Sequence, residues 1–264
     1  IEGIRIEQRV WMDHGHNRTQ VAFRLLDTAT DVPLRLELGL LACQRDHHAV
    51  NHALSPSLTA RAIDDGLRWP IDGGVMETCG RGGQFTPDAT WIERFFLAHE
   101  HERGLEDIDR HLRIGRVVFD LSAGDWTGLS IAYDEPAVTD LGASLAQAQQ
   151  RVPGLLDGAL PGVAASDVPP WIEQLVVAAD SYRFRRGGVD GPDSVIAGYP
   201  WFGDWGRDTM IALPGLTLAT GRADTGLGIL ETFARYVRDG LLPNVFPGSG
   251  EHPEYNTVDA ALWY

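Results

Sequence analysis

Two periods divide the chain. In the first half, "IRIEQRVWM", "TQVAFRLLD", "LRLELGLLA", "GVMETCG", "TWIERFFLAHE", "GRVVFDLSA" and "GLSIAYDE" are short, tend to alternate apolar with polar residues, and are separated by Gly, Pro, Asp and Asn. Alternation at period two in regularly spaced short segments predicts an antiparallel β-sandwich over residues 1–135. Between 136 and 168 the texture changes: "AVTDLGASLAQAQQRV" has helical composition, and "PGLLDGALPGVAASDVPP" is rich in Pro, Gly and Ala and reads as a linker.

From 169 to 264 the apolar residues recur at three and four. "PPWIEQLVVAADSYRFRR" opens with prolines suited to a first turn and places Trp171, Leu175, Ala178, Ala179 and Tyr182 on one face. "DTGLGILETFARYVRDG" does the same with Leu227, Leu230, Phe233, Ala234 and Val237, predicting a helix from a capping Asp224 to Gly240. Between them "TMIALPGLTLATG" predicts a helix kinked at Pro214, because the proline ring removes an amide donor. A last helix begins in "NTVDAALWY". The chain opens on Ile1 rather than Met and stops at Tyr264 inside an apolar run, so it reads as a piece cut at both ends.

Composition narrows the partners. A formal net charge of -15 disfavours nucleic acid and anionic membrane surfaces, both of which reward clustered cations, and points to a neutral or cationic ligand. The absence of a long apolar run or a leader-like start predicts a soluble, cytoplasmic protein. All 22 basic residues are arginine, which reads as genome bias. Cys43 and Cys79 lack metal or disulfide spacing and are expected to be free thiols. The pairs His14 and His16, His47 and His48, and His99 and His101 raise a metal site on strands, but no carboxylate or cysteine pattern completes a coordination sphere, so no metal and no cofactor are expected. Trp69, Trp91 and Trp126 are expected in the core or an interface.

The densest chemistry lies in "GYPWFGDWGRDT", residues 198–209. Tyr199, Trp201, Phe202 and Trp205 offer flat apolar faces, while Arg207 and Asp208 offer donors and acceptors. That combination suits a sugar better than a phosphate, which calls for a Gly-rich loop bearing lysine. The plainer alternative makes Asp208 an N-cap and pairs Arg207 with a neighbouring carboxylate. In "GEHPEYNTVDAALWY", Asn256 is a possible N-cap with Asp259 reaching back to its amide. As a proton donor instead, Asp259 would need its pKa raised by apolar walls, for which Tyr255, Val258, Leu262 and Trp263 are candidates.

"AGYPWFGDWGRDTMIALPGLTLATGR" followed by "GLLPNVFPGSGEHPEYNTVDAALWY" resembles the amylo-alpha-1,6-glucosidase family of glycogen debranching enzymes, and the first half resembles the β-sandwich that precedes the catalytic domain there. The resemblance implies an α+β multidomain protein in which the sandwich leads into the first helices of a six-over-six (α/α) barrel. It implies inverting hydrolysis of α-1,6-linked glucose at branch points of glycogen or limit dextrin. By position in the family's "YN-x-x-DA" pattern, Asp259 would be the general acid. Arg207 and Asp208 would hold the terminal glucose hydroxyls, with Trp201, Trp205, Tyr255 and Asn256 completing the sugar site. The catalytic base would be a glutamate downstream of Tyr264, so the 264 residues alone are expected to be inactive. Two other readings stay open: another (α/α)-barrel α-glycosidase of the glucoamylase or trehalase kind, and a non-catalytic glycan-binding module.

Overall fold

A computed structural model describes residues 3–27, 33–45, 49–51, 58–71, 73–186, 191–199, 202–246 and 252–264. The chain divides into two compact units, Ile1–Ala148 and Gln149–Tyr264.

Among its described residues the first unit contains two antiparallel sheets. One has six strands in the order β1-β2-β9-β6-β5-β4, formed by β1 (Arg5–Met12), β2 (Arg18–Asp27), β4 (Arg61–Ile63), β5 (Gly66–Ile71), β6 (Gly74–Cys79) and β9 (Trp126–Tyr133). The other has the order β3-β8-β7, from β3 (Leu34–Ala42), β7 (Gln84–Phe96) and β8 (Ile108–Leu121). Both sheets feed one core, as a sandwich requires: Leu67 and Trp69 of β5 cluster with Leu112 and Ile114 of β8, and Val117 and Phe119 of β8 with Leu129 of β9. Gly115 marks the closeness of the layers, since a Cβ there would stand 2.3 Å from Leu67 Cδ1. Trp69 is buried and Trp91 packs on the same cluster, whereas Trp126 lies under the guanidinium of Arg24 at 4.6 Å from its ring centroid.

Three readings in this unit are corrected. "TWIERFFLAHE" is strand only to Phe96; its end belongs to helix α1 (Ala98–Glu102). His99 and His101 therefore sit on a helix, where His101 pairs with Asp107 at 2.5 Å. His14 and His16 fall in the turn between β1 and β2, with His16 bonded to Glu135 at 2.8 Å. His47 and His48 lie outside the described residues. The β4–β5 hairpin, with Asp65 at φ 54 in its tight turn, escaped the alternation test because its strands are short and carry Pro70.

Helix α2 (Leu141–Ala159) runs through Pro153 and takes in much of the Pro/Gly-rich stretch. Its apolar side outweighs the proline: Leu156 is buried with Val168 and Val176, backed by Val152, Leu155 and Leu160.

In the second unit, α3 (Pro170–Ser181) buries Val176 and Asp180, while Trp171 and Leu175 are each 60% exposed. The buried face is rotated from the expected one because Asp180 is drawn inward. Its carboxylate accepts hydrogen bonds from Arg151 and from Arg222 Nη2 at 2.7 Å, with Arg183 at 3.8 Å. Burial pushes the Asp180 pKa up, and Arg151, Arg222 and Arg183 outweigh it, leaving a net depression below the ordinary 3.8. A depressed folded-state pKa contributes stability above the unfolded value that is lost as pH falls through the folded value. Asp180→Asn is therefore expected to lower stability at neutral pH and to flatten the decline below about pH 4. Denaturant melts of both proteins across that range check it, and an unchanged acid limb would count against the Asp180 cluster.

The chain then forms the β10–β11 ribbon (Arg183–Arg185 with Asp193–Val195), α4 (Gly206–Leu213), α5 (Ala223–Ala234) and α6 (Ala260–Trp263). Pro214 does not end the helical run that α4 opens. The backbone stays helical through it and widens into a π turn, Pro214–Leu218, closed by the Ala219 amide on the Pro214 carbonyl at 3.0 Å. The Leu213 carbonyl accepts from the Thr217 hydroxyl at 2.7 Å. Helix α5 starts at Ala223, before Asp224, and stops at Ala234; it buries Gly226, Ile229 and Phe233, leaving Leu227 and Val237 exposed. It stops short of Gly240 because "RDGL" forms a turn with Asp239 and Gly240 both at positive φ, and Arg238 and Leu241 exchange backbone hydrogen bonds. Val195, Met210, Leu213, Ile229, Phe233, Leu242 and Ala260 form this unit's core. No helix among the described residues is long and apolar enough to cross a membrane.

Candidate active site

Three loop segments meet at the start of α4. Gly206 donates its amide to the Asn244 carbonyl at 2.7 Å, Phe246 donates to the Asp204 carbonyl at 3.3 Å, and Trp205 bridges to Val245. On the other side of this strip, Asn244 donates its amide to the Glu254 carbonyl at 2.7 Å, and Glu254 returns one to Val245 at 3.0 Å. The two sequence motifs, some fifty residues apart, are thus stitched to the same short strip, 244–246.

Asn244 also ties them through its side chain, Nδ2 donating to Asn256 Oδ1 at 2.8 Å. Tyr255 reaches instead to the Tyr236 carbonyl, 2.6 Å from its hydroxyl. The outcome is a direct link between the motifs: Arg207 Nε lies 2.9 Å from Asp259 Oδ2, with the two side chains 53% and 40% exposed. Asp208 lies exposed in the first turn of α4 and has no hydrogen-bond or ion-pair partner among the described residues.

Neither capping reading holds. Trp205 occupies the cap position of α4 and no side chain caps it, so Asp208 is a first-turn acid. Asp259, not Asn256, is the cap residue of α6, and its side chain makes no capping bond because Arg207 holds it. The expectation that Arg207 pairs with a carboxylate is met by Asp259. Apolar walls around Asp259 are not supplied by Val258 and Leu262, which are 79% and 84% exposed, nor by Trp263, which is 57% exposed.

Of the aromatic residues, Trp205 is half-buried and meets Phe202 edge to face at 6.1 Å between centroids. Tyr199 is committed to structure: its hydroxyl donates to the Ser181 carbonyl at 2.5 Å and its ring packs on Tyr182. Trp201 lies outside the described residues.

Sequence reasoning passed over Asp204, the first acid of "GDWGRD". It is buried and accepts hydrogen bonds from Arg186 and the Ser194 hydroxyl, while its Oδ1 has no partner among the described residues. Burial pushes its pKa up against the opposing Ser194 and Arg186 contacts. Arg186 in turn lies over the Phe246 ring at 3.9 Å. Asp204 thus anchors the loop that carries Trp205 and Arg207 to the ribbon behind it. An acid two residues before a glycine-led helix start was the available signal, but nothing in one sequence separates an anchoring aspartate from an exposed one.

The arrangement offers a guanidinium, a free carboxylate and a paired carboxylate on an exposed surface beside half-buried aromatic rings. Such a set can hydrogen-bond several hydroxyls of a neutral ligand and deliver or accept a proton.

Both ends of the chain match models of known families. Residues 174–264 match the family model described as amylo-alpha-1,6-glucosidase, and residues 1–127 match the one described as glycogen debranching enzyme N terminal. A glycogen debranching enzyme of Saccharomyces cerevisiae is 41% identical over 76 residues, a stretch covering 27% of this chain and 5% of that protein's length.

Proposed function

We propose, for a chain that belongs to the glycogen debranching enzyme family, that it forms part of an enzyme removing α-1,6-linked glucose at branch points of glycogen or limit dextrin by an inverting acid/base mechanism. The observation that carries this reading is the 2.9 Å pair between Arg207 and Asp259. It brings the residue suited to gripping hydroxyls beside the residue suited to donating a proton.

In this reading Arg207 and Asp208 hold the hydroxyls of the terminal glucose, and Trp201, Trp205, Tyr255 and Asn256 shape its pocket. Asp259 protonates the departing glycosidic oxygen. Inversion needs a second carboxylate about 6.5–9.5 Å away to activate water on the opposite face. We assign that base to a glutamate outside these 264 residues, in the remainder of a helical barrel whose opening helices are α3 to α6, so these residues alone are expected to release no glucose. A cytoplasmic location goes with the reading.

The full-length protein is expected to release glucose from branched limit dextrin far faster than from maltose or trehalose. Preference for maltose or trehalose would move it to another α-glycosidase class. Glycogen binding without hydrolysis would make it a glycan-binding protein.

A further inference from the structure

Strands β3 and β8 bring together three residues that lie far from the candidate active site in sequence. Ala42 pairs with Leu112 at the end of β3, so Cys43, the next residue, lands beside the start of β8. On β8, Asp109 and His111 stand two apart and so share a face. The Cys43 thiol, an Asp109 carboxylate oxygen and a His111 ring nitrogen all lie within 4.8 Å of one another.

The geometry points to a binding site for a borderline divalent cation of the zinc type at Cys43, Asp109 and His111. Asp109 Oδ2 and His111 Nε2 are 3.6 Å apart, against about 3.4 Å for the edge of a tetrahedron with bonds near 2.1 Å. The donors are one sulfur, one nitrogen and one oxygen, which favours zinc over magnesium or calcium. His111 Nε2 is buried with no hydrogen-bond partner among the described residues, so the ring nitrogen nearest the carboxylate is not otherwise committed.

The surroundings orient these groups as outer contacts orient metal ligands. Asp109 is fully buried, and its Oδ1 accepts from the Asn51 and Arg110 amides at 2.8 and 2.7 Å, leaving Oδ2 toward His111. The His111 ring packs edge to face on Phe95, 4.3 Å between centroids. Asn51 Nδ2 donates to the Cys43 sulfur at 3.2 Å, a contact a thiolate strengthens. Arg45 Nε is 2.9 Å from Asp109 Oδ2 and competes for that oxygen, so the ion must share it or displace the guanidinium. Binding leaves Cys43 as a thiolate, its proton passing to buffer, with the imidazole neutral and the carboxylate ionised. Three protein ligands leave the fourth position to water.

The site does not depend on the glycosidase reading and is tested without an activity assay. The full-length protein, reduced and freed of metal, is titrated with Zn2+, with Co2+ as a spectroscopic stand-in and Mg2+ as a control. The expected result is one equivalent of Co2+ giving a thiolate-to-cobalt charge-transfer band, displaced by Zn2+ and unaffected by Mg2+. Cys43→Ser, at a solvent-accessible position, is expected to abolish the band and weaken Zn2+ binding at least tenfold, and His111→Gln to weaken it similarly, while Cys79→Ser changes neither. No thiolate band in the parent protein, or a band that survives Cys43→Ser, would overturn the assignment. So would Zn2+ affinity unchanged in both Cys43→Ser and His111→Gln.

Discussion

Asp259→Asn in the full-length protein is expected to lower turnover on branched dextrin by about 100- to 10,000-fold with little change in substrate affinity. Asparagine keeps the shape and can still accept from Arg207, but it has no proton of suitable acidity to give the departing oxygen. The Arg207–Asp259 pair sharpens the test, because both side chains are substantially exposed and substrate hydroxyls can take over either partner. If Asp259 served only to hold Arg207 in place, its replacement would chiefly raise KM, with kcat nearly intact. Steady-state kinetics that separate kcat from KM distinguish the two, and near-normal turnover would remove Asp259 from the acid role.

Gly206→Ala is expected to cost about 3 kcal/mol of stability, the upper end for forcing atoms into a packed site. A Cβ at Gly206 would stand 2.0 Å from the Pro243 carbonyl oxygen, a backbone atom, and 3.1 Å from the Phe233 ring. Relief requires moving the 243–246 strip away from α4, and that strip is what links the motif bearing Arg207 to the one bearing Asp259. The same substitution at Gly203 meets nothing within 4 Å and is expected to change stability by less than about 0.5 kcal/mol. Chemical denaturation of the two variants measures the difference. Equal stabilities would mean that the α4 start does not pack on this strip.

Much of the first unit was legible because a two-sheet sandwich makes hydrophobic alternation the dominant local signal. Seven segments chosen by alternation correspond to seven of the nine strands among its described residues, while the two missed, β4 and β5, are too short or too broken by proline to show a period. In the second unit the helices were legible, but the buried faces of α3 and α5 were displaced from the apolar stripes. On α3 a charge decided the rotation: Asp180 turns inward to meet Arg183, three residues on, together with Arg151 and Arg222, and no local pattern reveals those last two. The early end of α5 was written in "RDGL", a turn signal that a helical reading carried on through Val237 to Gly240 overran.

By itself the sequence determined most of the elements and marked Arg207, Asp208 and Asp259 as candidates for chemistry, since periodicity, turn residues and residue identities are local properties. Only the tertiary structure decided what those residues face. It gave the Asp259 carboxylate to Arg207 rather than to a capping bond, buried Asp204 as an anchor, and gathered Cys43, just past β3, beside Asp109 and His111 of β8. The reason is physical: a side chain's partner is set by packing and by the need of each buried polar group for a mate, and those mates come from segments that sequence distance does not connect.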